Sequence, residues 1–222
     1  MNFTLERVTQ PDIEPVTLAE LKRHLRCQDG VTVQDDDITA LIVAAREWVE
    51  DYTARALIDQ TWLLTIGDHL QGDRVRGYNL PIFSGGFSRH EWLRWMRRGE
   101  IMLRRSPILA VTSFKSIDAA GVVSNVETDT YALREPKSKW PRLVLMNGVT
   151  WPTGTLQIEF RAGFANRIGS PKDDASVVPT RFRQAMKLWA EANYDRDQFM
   201  MALLLKVAEQ IIKPERADLS VA

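Results

Sequence analysis

Residues 35–62 constrain the fold more than any other stretch, because within them a helical pattern gives way to a strand pattern almost without a connecting loop. Asp35, Asp36 and Asp37 read as an N-cap and an acidic first turn, placing carboxylates at the positive end of a helix dipole, so a helix is predicted from about Asp36. Ile38, Leu41, Ile42, Ala45, Trp48, Val49 and Tyr52 then recur at three- and four-residue steps, while Arg46, Glu47, Glu50 and Asp51 fall mostly on the other side. This gives one buried face, with Leu41 on its central stripe, and one wet face. The pattern fails near Thr53-Ala54, and Gln60 to Ile66 is β-rich with Trp62, Leu64 and Ile66 on one side. The helix therefore feeds directly into a strand.

The rest of the chain must supply partners for both elements. Thr17-Leu18-Ala19-Glu20 matches a capping box, and a short helix to about Leu25 follows, with Leu18, Leu21 and Leu25 inward. Cys27 to Gln34, containing Asp29-Gly30, is the turn that folds it onto the longer helix. Residues 1–16, with Pro11 and Pro15, read as an extended lead-in that pairs with another element or another subunit. Residues 67–100 are an irregular excursion punctuated by Gly67, Gly72, Gly77, Pro81 and Gly85-Gly86, and its denser second half forms a short helix or a hairpin arm. β signals return at 101–103, 111–118, 122–125, 131–134, 143–146 and 155–161. The last is the clearest, since Leu156, Ile158 and Phe160 alternate with Gln157, Glu159 and Arg161. A loop from Gly163 to Val178 precedes a helical region from Pro179-Thr180. Its apolar face of Phe182, Ala185, Met186 and Trp189 is interrupted at Asp195-Arg196-Asp197, then continued by Phe199, Leu203, Val207 and Ile211 up to Lys213-Pro214.

These elements predict an α+β protein. N- and C-terminal helices, residues 1–59 and 179–222, pack as a small bundle, and an antiparallel β-sandwich or barrel-like module at 60–178, carrying the excursion at 67–100, is inserted between them. A chain of 222 residues with 45% hydrophobic and 26% charged residues is long enough for this and excludes disorder throughout. The 29 basic and 29 acidic residues cancel, so no global field draws the chain to nucleic acid or an anionic membrane, and any such contact must be local. Cys27 has no second cysteine to bridge, which fits a reducing compartment. The opening residues lack the order of a signal peptide, and no apolar run approaches the roughly 20 residues of a bilayer span. Cytoplasmic synthesis and no membrane partner are expected.

No catalytic constellation is visible. His24, His69 and His90 lie in different elements, at no metal-ligand spacing with other ligating residues. The Asp35–Asp37 run lacks the glycine and distal glutamate of a calcium loop and reads as a helix cap. Ser84-Gly85-Gly86 lacks the lysine and hydroxyl of a nucleotide loop. Cys27 has His24 three positions earlier but no third, orienting residue. No enzyme, cofactor or metal is expected.

Residues 14–26, Glu14-Pro15-Val16-Thr17-Leu18-Ala19-Glu20-Leu21-Lys22-Arg23-His24-Leu25-Arg26, followed by the aspartate-led helix ending Arg46-Glu47-Trp48-Val49-Glu50-Asp51-Tyr52-Thr53-Ala54-Arg55-Ala56-Leu57-Ile58 and then Gln60-Thr61-Trp62, resemble the head-tail connector (adaptor) family of long-tailed bacteriophages and gene transfer agents. Val178-Pro179 leading into Arg183-Gln184-Ala185-Met186 looks like that family's downstream helix. The likeness covers 14–66 well, the β region loosely and 179–195 moderately. It implies a structural virion protein made in the bacterial host and located at the neck. Such a protein forms a homo-oligomeric ring, twelve copies in the particle, below the portal protein after DNA packaging. It offers a platform to a stopper or tail-completion protein, and genome DNA passes through the channel without specific binding.

Two stretches are candidate interfaces for that assembly. The run from Phe199 to Leu205 is apolar nearly all round, so Phe199, Met200, Leu203, Leu204, Val207 and Ile211 are expected either to dock on portal or a neighbouring subunit or to be buried within the chain. Residues 88–105 hold six arginines against Glu91 and Glu100. There Trp92, Arg94, Trp95, Arg97 and Arg98 suit protein contact, since tryptophan and arginine are enriched where interfaces bury area. The alternative is a small nucleic-acid-binding module in which that arm grips phosphates and stacks bases.

Overall fold

The computed structural model describes residues 3–27, 32–67, 98–146, 148–164, 177–194 and 198–216; the side chains of Phe3, Gln198 and Phe199 also fall outside the described part. The chain divides into two compact units, one from residues 1–10 and 59–163 and the other from 11–58 and 164–217. Helices flank the strand region in sequence, so the architecture is α+β.

The helical unit contains α1 (Leu18–His24), α2 (Asp35–Thr53), α3 (Thr180–Tyr194) and α4 (Gln198–Ile212), followed by a 3₁₀ turn at Lys213–Glu215. α1 begins at the expected capping box: Glu20 N–H donates to Thr17 Oγ1 at 3.2 Å, and Thr17 N–H to Glu20 Oε2 at 3.1 Å. α2 begins one residue before the expected position. Gln34 is its N-cap, without a side-chain hydrogen bond, so no aspartate caps the helix. All three occupy the first turn, where the dipole favours them, and Asp35 is taken by Lys22 Nζ at 2.7 Å. Ile38, Ile42, Ala45 and Val49 form its buried stripe, facing a core with Leu21, Phe182, Ala185 and Met186. Leu41, Trp48 and Tyr52 pack at the margin, and Trp48 stacks on Trp189 with ring centroids 6.1 Å apart.

Two residues assigned to the wet side of α2 are instead in the core. Arg46 and Glu50 are each 1% exposed. Arg46 Nε donates to Glu14 Oε1 and Oε2 at 3.1 and 2.8 Å, and its Nη1 donates to Glu50 Oε2 at 3.1 Å. Glu50 Oε1 accepts the backbone N–H of Leu57 at 2.9 Å. Burial works against the Arg46 charge, but the Glu50 and Glu14 carboxylates hold its pKa above the ordinary value; burial pushes that of Glu14 up despite Arg46. The network fastens the turn after α2, where Ala54 takes a left-handed conformation with φ 55° and the chain goes on to the strand at Gln60–Ile66.

α3 and α4 were expected as one interrupted region, and they are two helices that run antiparallel. Arg181, near the start of α3, pairs with Glu215, just past the end of α4, so α4 returns along α3.

The other unit holds two antiparallel sheets. The larger is ordered β1 (Phe3–Arg7), β2 (Gln60–Ile66), β8 (Thr155–Ala162), β4 (Ile108–Ile117) and β5 (Val123–Asn125). The smaller is β3 (Glu100–Met102), β7 (Arg142–Leu145) and β6 (Tyr131–Arg134). β2 and β8 alternate as predicted, and Trp62 lies opposite Phe160, Leu64 opposite Ile158 and Ile66 opposite Leu156, with all six side chains buried. Phe114 of β4 meets Tyr131 of β6 edge-on at 5.3 Å, joining the two sheets through their side chains. The first ten residues belong with these strands rather than with the helices, because β1 hydrogen-bonds along β2 from Phe3 opposite Ile66 to Arg7 opposite Trp62. At Gly154, with φ 96°, a Cβ would lie 2.1 Å from the carbonyl oxygen of Ile117, so the turn into β8 passes too close to β4 for any other residue. Most of the excursion, 68–97, lies outside the described residues.

Glu50→Ala should be strongly destabilising, because it strands the Arg46 charge and the Leu57 N–H in the core. The expected loss is about 3 to 5 kcal/mol, read by urea denaturation. A variant within about 0.5 kcal/mol of the parent, as at an ordinary surface position, would show that the network contributes nothing.

Candidate interaction surface

α4 has two apolar faces with different fates. Ala208 and Ile212 are fully buried in the helical core and Ile211 packs at its edge, so this face anchors the helix. Met200, Leu203 and Val207, at three- and four-residue steps, are 40%, 48% and 37% exposed. They lie together on one stripe of the helix, and Met201 is exposed beside them. Leu204 is half-buried between the two faces. The helix is thus a core element through Ala208 and Ile212, and it also presents apolar side chains to solvent. Four large apolar residues are therefore exposed within eight positions, a denser group than scattered surface hydrophobics.

Of the second candidate stretch, Trp92, Arg94, Trp95 and Arg97 lie outside the described residues, and so does the Phe199 side chain of the first. Arg98 is exposed in the turn before β3. Arg104 and Arg105 follow β3, and the Arg105 guanidinium lies over the Trp62 ring at 4.7 Å, with Arg7 over the same ring at 5.3 Å. Burial, with Arg105 beside it, lowers the Arg104 pKa to about 10.

His24 and Cys27 each have other partners, and Cys27 is a half-buried free cysteine. His24 Nε2 sits 2.9 Å from Glu191 Oε2, and Cys27 Sγ is 3.9 Å from the Tyr194 hydroxyl, which donates to Gln34 Oε1 at 2.6 Å. Trp62 is buried, while Trp48 and Trp189 pack against the core as expected.

A cluster that sequence reasoning missed lies at the base of α2. Glu215 accepts from Arg55 Nη2 at 3.3 Å and from Arg181, and the Arg216 guanidinium sits 5.3 Å over the Tyr52 ring. Burial lowers the Arg55 pKa, an effect that Glu215 offsets and Arg181 reinforces. These residues are remote from one another in sequence, and only the antiparallel return of α4 brings them together.

Leu203→Glu should leave the melting temperature within a few degrees of the parent, since it alters a side chain half in water. Ala208→Glu should lower it sharply, because the carboxylate is forced into the core. Circular dichroism melts of the two variants check this assignment of faces.

No protein-family model and no curated protein matches the sequence. Three solved structures contain chains of the same fold across nearly their whole length. A chain of "Neck of empty GTA particle computed with C6 symmetry" superposes with a TM-score of 0.70 at 22% identity, covering 99% of this chain and 97% of that one. A chain of "Virion of native gene transfer agent (GTA) particle" gives 0.62 at 24% identity, covering 91% and 93%. A chain of "Neck of native GTA particle computed with C12 symmetry" gives 0.61 at 21% identity, covering 92% and 94%. The fold is that of chains found in gene-transfer-agent neck and virion structures, in agreement with the connector resemblance read from residues 14–66.

Proposed function

We propose that this chain is a structural virion protein of the neck, a head-tail connector that forms a ring of twelve copies below the portal after DNA packaging and offers a platform to a stopper or tail-completion protein. The observation that carries the reading is the exposed apolar stripe of α4 in a fold otherwise shared, nearly end to end, with neck-structure chains. A ring reuses one heterologous contact at every subunit, so a modest surface suffices once the ring closes. Met200 and Met201 suit such a surface, since unbranched thioethers adapt to the shape they meet. In this reading α4 docks on portal or the neighbouring subunit through Met200, Leu203 and Val207, with Leu204 and Ile211 at the margins of that stripe and Phe199 kept as a candidate from the sequence.

Removing residues 197–222 tests the docking. The truncated chain is expected to lose association with portal rings in co-purification, with the point variant Leu203→Glu reproducing the loss in a fully folded protein. Undiminished portal binding by Leu203→Glu would sink the assignment of this face.

The arm at 88–105 is assigned to protein contact, and genome DNA to passage without specific binding. An arginine excess repeated round a ring would neutralise many phosphates and hold DNA tightly, which obstructs a conduit. Replacing Arg94, Arg97 and Arg98 with glutamine should impair ring or portal assembly while duplex-DNA affinity stays unchanged. Normal assembly with a lost, salt-sensitive DNA affinity would favour the nucleic-acid-binding module instead.

A further inference from the structure

The larger sheet ends on β1 and β5, and among the described residues neither has a second strand beside it. On β5, Val122 C=O accepts from Asp118 N–H and Val126 N–H donates to Phe114 C=O, so Val123 and Asn125 between them turn their N–H and C=O groups away from β4. On β1, Val8 N–H donates to Thr61 C=O at 2.8 Å, and the same alternation turns the backbone groups of Leu5 away from β2. Val122 and Val123 are 57% and 56% exposed. The run Val122-Val123-Ser124-Asn125-Val126 carries neither the charge nor the proline that guards most edges, so it is a ready template for another strand.

Strand polarity decides which strand fits. Every neighbouring pair in the order β1-β2-β8-β4-β5 is antiparallel, and the number of strands is odd, so β1 and β5 run in the same direction. A second copy shifted sideways along the sheet, without being turned over, therefore brings its β1 parallel to β5. The side-chain faces then match as well. Val123 and Asn125 lie opposite Ile117 and Lys115, on the face away from buried Phe114, while Thr4 and Glu6 lie opposite Thr65 and Leu63, on the face away from buried Leu64; Ile158, buried between Phe114 and Leu64, shows that this is one face of the sheet. With Val123 beside Thr4, exposed Glu6 falls beside Asn125, and Lys115 follows one strand further in. Pairing β5 with another β5 would instead require one copy to turn over, and would close as a dimer.

We propose that β5 of one copy takes β1 of the next copy as a parallel neighbour, extending the sheet from subunit to subunit. The two edges differ, so the contact is heterologous and repeats from copy to copy. The proposal rests on the ring reading above and names one contact within it.

Paired cysteines test the contact in full chains that carry Cys27→Ser. Thr4→Cys with Val123→Cys would place the two thiol-bearing residues of neighbouring copies about 4.8 Å apart, within disulfide reach, and Glu6→Cys with Val123→Cys covers a register shifted by two residues. Oxidation of concentrated protein, free or on portal rings, is expected to give a ladder of linked subunits beyond the dimer on non-reducing gels, and each cysteine alone is expected to give none. Asn125→Pro removes one outward N–H at an exposed edge position. It is expected to melt within a few degrees of the parent and to self-associate about tenfold more weakly in sedimentation velocity. The absence of a ladder from both pairs overturns the proposal. So do linked dimers from Val123→Cys alone, which would pair β5 with its own two-fold mate, and parent-like self-association of Asn125→Pro with loss of portal binding, which would give the edge to portal. Rings that assemble normally on portal from Asn125→Pro, without a ladder from either pair, would remove this contact and leave the ring reading standing. A ladder in solution without any ring from the parent on portal would do the reverse.

Discussion

The helical unit depends on one buried charge, Arg46. Hydrophobic packing along Ile38, Ile42, Ala45 and Val49 supplies most of the cohesion of α2, but apolar contacts alone tolerate slippage and rotation. Arg46 does not. Its guanidinium must meet Glu14 before α1 and Glu50 one turn further along α2, while Glu50 must also receive the Leu57 N–H. An ion pair at this depth adds little net stability over a well-packed apolar pair, yet losing any member leaves a charge in the core without its counterpart. The network therefore fixes three chain segments in a single arrangement, including the turn through Ala54 from which the first long strand starts.

α4 is held at its end rather than along its whole girth. Ala208 and Ile212 seat its second half, and Glu215 ties the following turn to Arg55 and Arg181, whereas Met200 and Leu203 in its first half face water. A helix built this way keeps its position without a partner and still has contact area to offer one. Cooperative burial in a larger assembly would then order side chains whose backbone is already placed, which limits the entropic cost of association.

Much of this was legible in the sequence because periodicity depends on local order. The capping box at Thr17, the switch from helix to strand between Thr53 and Gln60, and the alternation of β8 all follow from neighbouring residues. What remained hidden depends on distant ones. Arg46 and Glu50 carry charge, and nothing within α2 shows that Glu14 and the Leu57 N–H will satisfy them in the interior. Residues 3–7 have no strong strand signal of their own and become a strand because β2 offers an open edge. The doubling back of α4 could not be inferred from a four-residue spacing that merely resumes after the interruption at 195–197, and the arginines around Glu215 followed it out of sight. The exposed stripe of α4 was half visible: an all-round apolar run announced an excess of greasy surface, but not which side the core would claim.

The chain order of the two units has a bearing on synthesis. α1 and α2 leave the ribosome early, but Phe182 and Met186, which cover the stripe of α2, come only after all of residues 59–163. At ordinary elongation rates that gap lasts on the order of ten seconds. The inserted strands are contiguous apart from β1, which is already made, so they can complete their sheets while the helices wait. The nascent polypeptide thus carries an uncovered apolar ridge through most of its translation.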